Sequence, residues 1–236
     1  IPMDVFMGQA GEAQVAFPRI RTEPPRISPD RDEVRRAIEL LERAKRPLLM
    51  AGTSVKWSRG SAAMCRFIEE IHIPAYANGM GRGTIPPELP EFLNRSRREA
   101  LEKTDCVILA GTLLDFRMRF GQTIPADAKI IQLEMDAVLI GQNRGTDVPL
   151  VGNLGCSFEL LSEEMKNQGV KLDFSGFRDE LRAIETKAER KVEAALGSDA
   201  VPIDPQRLCR EVRDWLATLA DPSGIGAGGA IVATPA

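Results

Sequence analysis

Short apolar runs that close on glycine, spaced between stretches with helical periodicity, constrain this chain more than any other feature. Leu48-Leu49-Met50-Ala51 runs into Gly52, and Cys106-Val107-Ile108-Leu109-Ala110 runs into Gly111. Runs this short and this uniformly apolar are the signature of strands covered on both faces, as in a parallel sheet. Ile73 to Ala77, Lys129 to Met135 and Val148 to Val151 supply three more. Between them lie helical patterns. Asp30 with Glu33 reads as a capping box ahead of Val34, Ala37, Ile38, Leu41 and Ala44. Met64, Phe67, Ile68 and Ile71 mark a second helix, Arg97 to Lys103 a third, and Phe158, Leu161 and Met165 a fourth. The alternation predicts an α/β fold, a mostly parallel sheet with helices on both faces.

The flanks differ in character. Residues 1–27, broken by Pro18, Pro24 and Pro25, read as the end of a preceding domain and an extended connector. Residues 28–170 form the central domain. Residues 171–203 read as a linker helix, with Phe177, Leu181, Ile184, Ala188, Val192 and Ala195 on a charged background. Residues 204–236 read as the start of a following domain, Asp204-Pro205 opening a helix with Leu208, Val212, Trp215 and Leu219 on one face. That stripe predicts packing against a neighbouring domain or subunit. The chain opens on Ile1-Pro2-Met3, in the middle of an apolar phrase, as a piece of a longer polypeptide would.

Composition mainly removes alternatives. With 31 basic and 34 acidic residues, and no basic stripe interleaved with aromatics, nucleic acid is not an expected partner. No apolar run reaches the roughly 18 residues of a membrane span, and no signal peptide is visible. A cytoplasmic location is expected. Cys65, Cys106, Cys156 and Cys209 have no CxxC spacing, so they read as reduced, buried thiols rather than a zinc site. The sole histidine, His72, reads as a packed or surface residue. GxSxG, HExxH and GxxxxGKS patterns do not occur. Such poverty in acid–base candidates predicts an incomplete active site and no activity for this piece alone.

What remains is a series of signals at the ends of strands, where ligands bind in open α/β sheets. Gly52 is followed by the hydroxyls of Thr53 and Ser54. Asn78-Gly79-Met80-Gly81-Arg82-Gly83 places three glycines in five residues, too many for a helix, and suggests backbone lying against a ligand or a domain. After Gly111, Arg117 can pair with a phosphate while Asp115 holds it, or the two form only a surface pair. Glu134 and Asp136 stand where carboxylates accept ribose hydroxyls. Gly152-Asn153 closes the fifth run, and Asn153 reads equally as a plain helix cap. Together these favour an extended nucleotide.

In order, the phrases resemble the central domain of thiamine-diphosphate-dependent enzymes, in the acetolactate synthase and 2-hydroxyacyl-CoA lyase group. Leu48 to Ser54 stands for the strand and Gly-Gly turn, and Met80 to Gly83 for the "MGxG" loop. Gly111 to Arg117 stands for "GxxxDxR", Ile131 to Asn143 for "IxxDxD…IGxN", and Val151 to Asn153 for the closing "xxGD". The resemblance implies a Rossmann-like domain of a lyase or transferase that makes or cleaves C–C bonds beside a carbonyl. It implies thiamine diphosphate and Mg2+ bound by pyrimidine- and pyrophosphate-binding domains of the same enzyme, in a homodimer or homotetramer. For this domain it implies FAD or ADP, contacted by Gly52, Thr53, Met80, Gly111, Arg117, Glu134, Asp136, Gly152 and Asn153. It implies no catalytic residue and no metal ligand here. Asn153 replaces the family's Asp, and Leu113 an Arg. Those departures favour an alternative, a scaffold domain with a vestigial nucleotide site. An NAD-dependent deacylase, the third possibility, needs a catalytic histidine and four zinc cysteines that the pattern does not offer.

Overall fold

The computed structural model describes residues 2–9, 11 and 26–219. The Pro18, Pro24 and Pro25 stretch and residues 220–236 lie outside the described residues. A single turn, α1 (Met3–Phe6), precedes the domain. Helix α2 (Arg31–Arg43) begins at Asp30, whose carboxylate accepts a hydrogen bond from the Asp32 amide at 2.7 Å. The second half of the expected capping box does not form. Glu33 pairs instead with Arg36 at 2.6 Å, because a cation one turn ahead on the same face competes with the neutral amide behind it.

Five parallel strands follow in the order β2-β1-β3-β4-β5, with β1 Pro47–Ala51, β2 Ala75–Ala77, β3 Cys106–Ala110, β4 Lys129–Glu134 and β5 Val148–Val151. Strand β2 starts two residues later than its apolar run. His72 ends the preceding helix in the left-handed region at φ 52°, and Pro74 has no N–H for the ladder. Its carbonyl still accepts from Leu49 N at 2.9 Å. Pairing therefore begins at Ala75.

Successive side chains of a strand face opposite ways, and this divides the core in two. Leu49, Ala51, Ile108, Ala110, Ile131 and Leu133 pack beneath α2, α4 (Ser61–Ile71) and α6 (Leu154–Gln168). Phe67 of α4 and Phe158 of α6 meet there with ring centroids 5.4 Å apart. Leu48, Met50, Val107, Leu109 and Ile130 face the other way, onto α5 (Arg97–Lys103) and α7 (Ser175–Leu196). Each such side chain, fully buried, contributes roughly 1.5–3 kcal/mol. The sheet is the α/β architecture the alternation predicts. A five-residue helix missing from that reading, α3 (Thr53–Trp57), follows β1 directly.

Helix α7 lies in the stretch read as a linker, and its first half covers the second face with Phe177 and Leu181. One turn on, Glu185 is buried at 3% exposure. Its carboxylate accepts from the amides of Asn94, Arg95 and Ser96 and from the Ser96 hydroxyl, at 2.8–3.2 Å. Those amides lead into α5, so one side chain of α7 fastens the start of a helix some ninety residues away. The later helix α8 (Pro205–Leu219) lies against α7. Its Leu208, Val212 and Trp215 are exposed. Among the described residues no helix is long and apolar enough to cross a membrane.

The four thiols are free, two buried and two half-buried. Burial pushes the Cys65 thiol up to about 11 and the Cys106 thiol up to about 12. Neither is a nucleophile near neutral pH. His72 hydrogen-bonds Glu91 at 2.9 Å, a buried carboxylate that also accepts from Arg178 at 2.9 Å.

Candidate functional site

In an open parallel sheet the loops leaving two neighbouring strands part company where the winding reverses. Here that switch lies between β1 and β3, because the chain passes from β1 outward to β2 and then back to β3. A cavity of about 220 Å³ sits at that point. Gly52, Thr53 and Ser54 line it from β1, Asn78 and Gly79 from β2, and Gly111 to Leu113, Asp115 and Arg117 from β3, with Glu134 and Leu139 from β4.

The turns after β1 and β3 interlock. A Cβ on Gly52 would lie 2.1 Å from the Gly111 carbonyl oxygen, and one on Gly111 would lie 2.6 Å from Ser54 Cβ. Gly111 also holds φ +64°, which L side chains rarely adopt. Gly52 N bonds Ala110 O at 2.8 Å, and Ser54 N bonds Gly111 O at 3.4 Å. The missing Cβ atoms make room for the neighbouring turn rather than for a ligand. Gly79, at φ +54°, differs. Its absent Cβ leaves open the space between Thr53 Oγ1, 3.3 Å away, and Arg117 Nη1, 3.5 Å away. The glycine-rich loop forms one 3-10 turn, Gly79–Gly81, capped by the Asn78 side chain.

Arg117 is held from one side. Its Nε and Nη2 donate to Asp115 Oδ2 at 3.0 and 2.6 Å, and its backbone amide donates to Asp115 Oδ1 at 2.9 Å. The adjacent guanidinium holds the Asp115 carboxyl below the usual carboxylate range. Nη1 remains free beside Gly79, and the guanidinium lies 5.4 Å from the centroid of the Phe116 ring. Arg117 is half exposed, so the pair by itself adds little stability.

Glu134 is the opposite case. It is 1% exposed at the end of β4. Its Oε2 accepts from Ser54 Oγ at 2.8 Å, while Oε1 is buried without a hydrogen-bond partner. Burial raises its pKa above the ordinary glutamate value, opposed by the Ser54 hydroxyl and the Met135 amide. Orphaned buried carboxylate oxygens are costly and call for an explanation.

The sequence-based candidates thus separate. Gly52, Thr53, Gly111, Arg117 and Glu134 come together around one cavity. Met80, Asp136, Gly152 and Asn153 do not line it. Asp136 accepts from Val138 N at 3.0 Å and caps a short turn. Asn153 caps α6 through Cys156 N and donates to the Ser58 carbonyl at 3.0 Å. A Cβ on Gly152 would lie 2.6 Å from the Ile27 carbonyl oxygen, so this glycine admits the segment before α2. That segment is tied to α6 by the ion pair Arg26–Glu159 at 2.9 Å, and α2 itself by Arg35–Glu164 at 3.0 Å.

Two polar residues outside the candidate set, buried Gln132 and half-buried Arg144, hold loops that leave the sheet. Gln132 joins Leu139 O, Gly141 N and the Thr146 hydroxyl, holding the loop after β4. Arg144 donates to the carbonyls of Gly121, Ile124, Pro125 and Ala128, holding the loop after β3. Only long-range pairing marks them, which single-sequence patterns do not carry. A larger, shallower hollow of about 590 Å³ lies over Phe120 to Ala126. Its charged residues are already engaged, Arg144 with carbonyls and Glu102 with Arg98 at 2.9 Å, so the smaller cavity holds the free chemistry.

Topology and site together define an open, doubly wound α/β domain with a polar crevice at its switch point. The chain belongs to the family described as thiamine pyrophosphate enzyme, central domain, which matches residues 34–162, more than half of the chain. It is 32% identical over 189 residues to an acetolactate synthase large subunit of Mycobacterium tuberculosis, covering 80% of this chain and 34% of that protein. It is 32% identical over 198 residues to 2-hydroxyacyl-CoA lyase 2 of Bos taurus (81% and 30%), and 28% identical over 206 residues to oxalyl-CoA decarboxylase of Escherichia coli (87% and 36%). The chain spans about a third of the length of the curated relatives it matches. A solved structure assigned as a thiamin diphosphate-dependent enzyme of Mycobacterium smegmatis shares the fold. Its TM-score is 0.51 at 22% identity, covering 61% of this chain and 29% of that one. The family resemblance drawn from the ordered phrases holds.

Proposed function

We propose that this chain is the central domain of a thiamine-diphosphate-dependent enzyme acting on a C–C bond beside a carbonyl, and that its crevice binds the ADP portion of FAD or free ADP. The observation that carries the nucleotide reading is the meeting, around one cavity at the switch point, of Thr53, the clearance beside Gly79 and Arg117, whose Nη1 has no hydrogen-bond partner among the described residues. Arg117 and Thr53 suit a diphosphate, with Gly79 leaving space between them. The cavity is small for a whole nucleotide. Met80, Leu113, Phe116, Met135 and Val138, exposed on the loops after β2, β3 and β4, offer an apolar rim for the remainder. FAD, when bound, would supply redox capacity, and ADP none.

Thiamine diphosphate and Mg2+ are assigned to the pyrimidine- and pyrophosphate-binding domains of the same enzyme. No group of three His, Cys, Asp or Glu able to hold a metal occurs among the described residues of this chain. The scaffold alternative draws support from Asp136 and Asn153, whose side chains are spent on caps. Calorimetric titration of the protein with ADP and with FAD separates the two readings. Saturable binding of either supports the nucleotide site, and binding of neither supports the scaffold.

A further inference from the structure

Resting on the nucleotide reading of the crevice, we infer that Arg144, which does not line the cavity, is a positioning residue for Arg117. It fixes the loop that carries the cation and so sets how tightly a diphosphate is held. That loop has a backbone its own residues would not choose. Arg119, Phe120 and Gly121 hold φ of 47°, 53° and 79°, three successive residues in the left-handed region, and only the last is glycine. Such backbone persists where its surroundings over-determine it. Met118 N and Phe120 N both bond the Asp115 carbonyl, at 3.0 and 2.8 Å, and the Leu114 and Met118 side chains are buried. These contacts hold the start of the loop. Its far side is held from the loop after β4.

Arg144 Nη1 donates to the carbonyls of Gly121 and Ile124 at 3.1 and 2.7 Å, and Nη2 to those of Pro125 and Ala128. A rigid planar fork can serve four carbonyls at once. A lysine ammonium, one compact charge on a flexible stem, cannot reproduce it. The Arg144 stem also takes up the room of a Gly121 side chain, since a Cβ there would lie 3.3 Å from Arg144 Cδ. The preceding residue grips the other end of the loop, Asn143 Nδ2 donating to Leu114 O at 3.1 Å. Gln132 in turn ties this segment to β4 through Leu139 O, Gly141 N and the Thr146 hydroxyl. The place of the Arg117 guanidinium is thus inherited from β4, by way of two side chains that never meet the ligand.

The test is a double-mutant cycle read by calorimetric titration with ADP, on the unaltered protein, Arg144→Lys, Arg117→Ala and the two combined. Hydrogen exchange of the amides of residues 116–122 is followed alongside. Lysine keeps the charge, so a change in affinity reports geometry and not the loss of a cation. Arg144→Lys speeds exchange in residues 116–122 by about tenfold and weakens ADP binding by roughly five- to tenfold. In the Arg117→Ala background the same change weakens binding by less than about twofold, because the group it positions is gone. A residue that only stabilises the fold would lower the melting temperature and leave the affinity of the folded protein unchanged. That result overturns the inference, as does an equal loss in both backgrounds or unchanged exchange. Should Arg144→Lys fail to fold, Asn143→Gly enters the same cycle. It suits the φ of 66° at that position and removes only the side-chain bond to Leu114 O. A few-fold loss confined to the Arg117 background is expected, and an equal loss in both again overturns the inference. Absence of ADP binding by the unaltered protein overturns the nucleotide reading itself, while the exchange comparison still judges the grip of Arg144 on the loop.

Discussion

Two buried glutamates carry opposite lessons. Glu185 and Glu134 are 3% and 1% exposed, one on helix α7 and one at the end of β4. Glu185 accepts from three backbone amides and a hydroxyl, so both its oxygens are satisfied and serve the fold. Glu134 accepts the Ser54 hydroxyl through Oε2 and keeps Oε1 without a side-chain or well-aligned amide partner among the described residues. A satisfied buried carboxylate fastens elements together. A half-satisfied one costs stability and awaits a partner.

The largest effect should come from Glu185. Glu185→Ala strands three amides at the start of α5 and should cost on the order of 3 kcal/mol, seen as a lower midpoint in urea. A loss under about 1 kcal/mol would mean that water replaces the carboxylate and that the clamp is ornamental.

Next comes the cavity's cation. Arg117→Ala should weaken ADP or FAD binding by roughly ten- to a hundredfold, since a charge-assisted contact contributes about 1.5–3 kcal/mol. Its melting temperature should hardly move, because Arg117 is half exposed. Unchanged affinity would remove Arg117 from the site.

Glu134→Gln should move stability in the direction opposite to Glu185→Ala. A carboxyl whose folded pKa is raised keeps its proton longer in the folded state. Stability is therefore fully present below the unfolded glutamate value and falls as pH rises through the raised folded value. Removing the charge should raise the melting temperature above that window and change little below it. A variant less stable than the parent at pH 8 would mean that Glu134 is structural after all.

The smallest effect belongs to Asp136→Ala. Asp136 caps a single exposed turn, so about 1 kcal/mol of stability or less is expected, with only a few-fold change in nucleotide affinity. A tenfold loss of affinity would bring Asp136 back into the site.

The same contrast marks what the chain discloses in one dimension. Strands β1 and β3 were legible because burial on both faces writes a continuous apolar run, and β4 and β5 because shorter apolar stretches survive between their polar or half-buried positions. The start of β2 was not, because Ile73-Pro74 continues that run while Pro74 has no N–H to give the ladder and only its carbonyl takes part. Glu134 was legible as an acid at a strand end. Its orphaned oxygen was not, since that depends on Ser54, eighty residues earlier. Glu185 looked like one more charge on a charged helix, because its partners lie about ninety residues upstream. Asp136 and Asn153 show the reverse. Their short-range capping competes with any ligand role, and for Asn153 the sequence itself offered both readings.

The interlocked turns after β1 and β3 also bear on how the crevice moves. Backbones that pass within contact distance at Gly52 and Gly111 cannot part without breaking two amide bonds to carbonyls, so those turns behave as one stiff wall. The opposite rim is the segment Phe116–Gly121, where Arg119 and Phe120 hold φ of 47° and 53°. Non-glycine residues in that region store conformational energy that a shift of the loop releases. Arg117 stands at the base of this segment and Phe116 beside it, so the cation proposed to meet a ligand sits on the strained side of the crevice. The Glu134 carboxylate is anchored to the stiff side through Ser54. A ligand bridging the two sides would therefore brace the strained rim against a wall that does not yield.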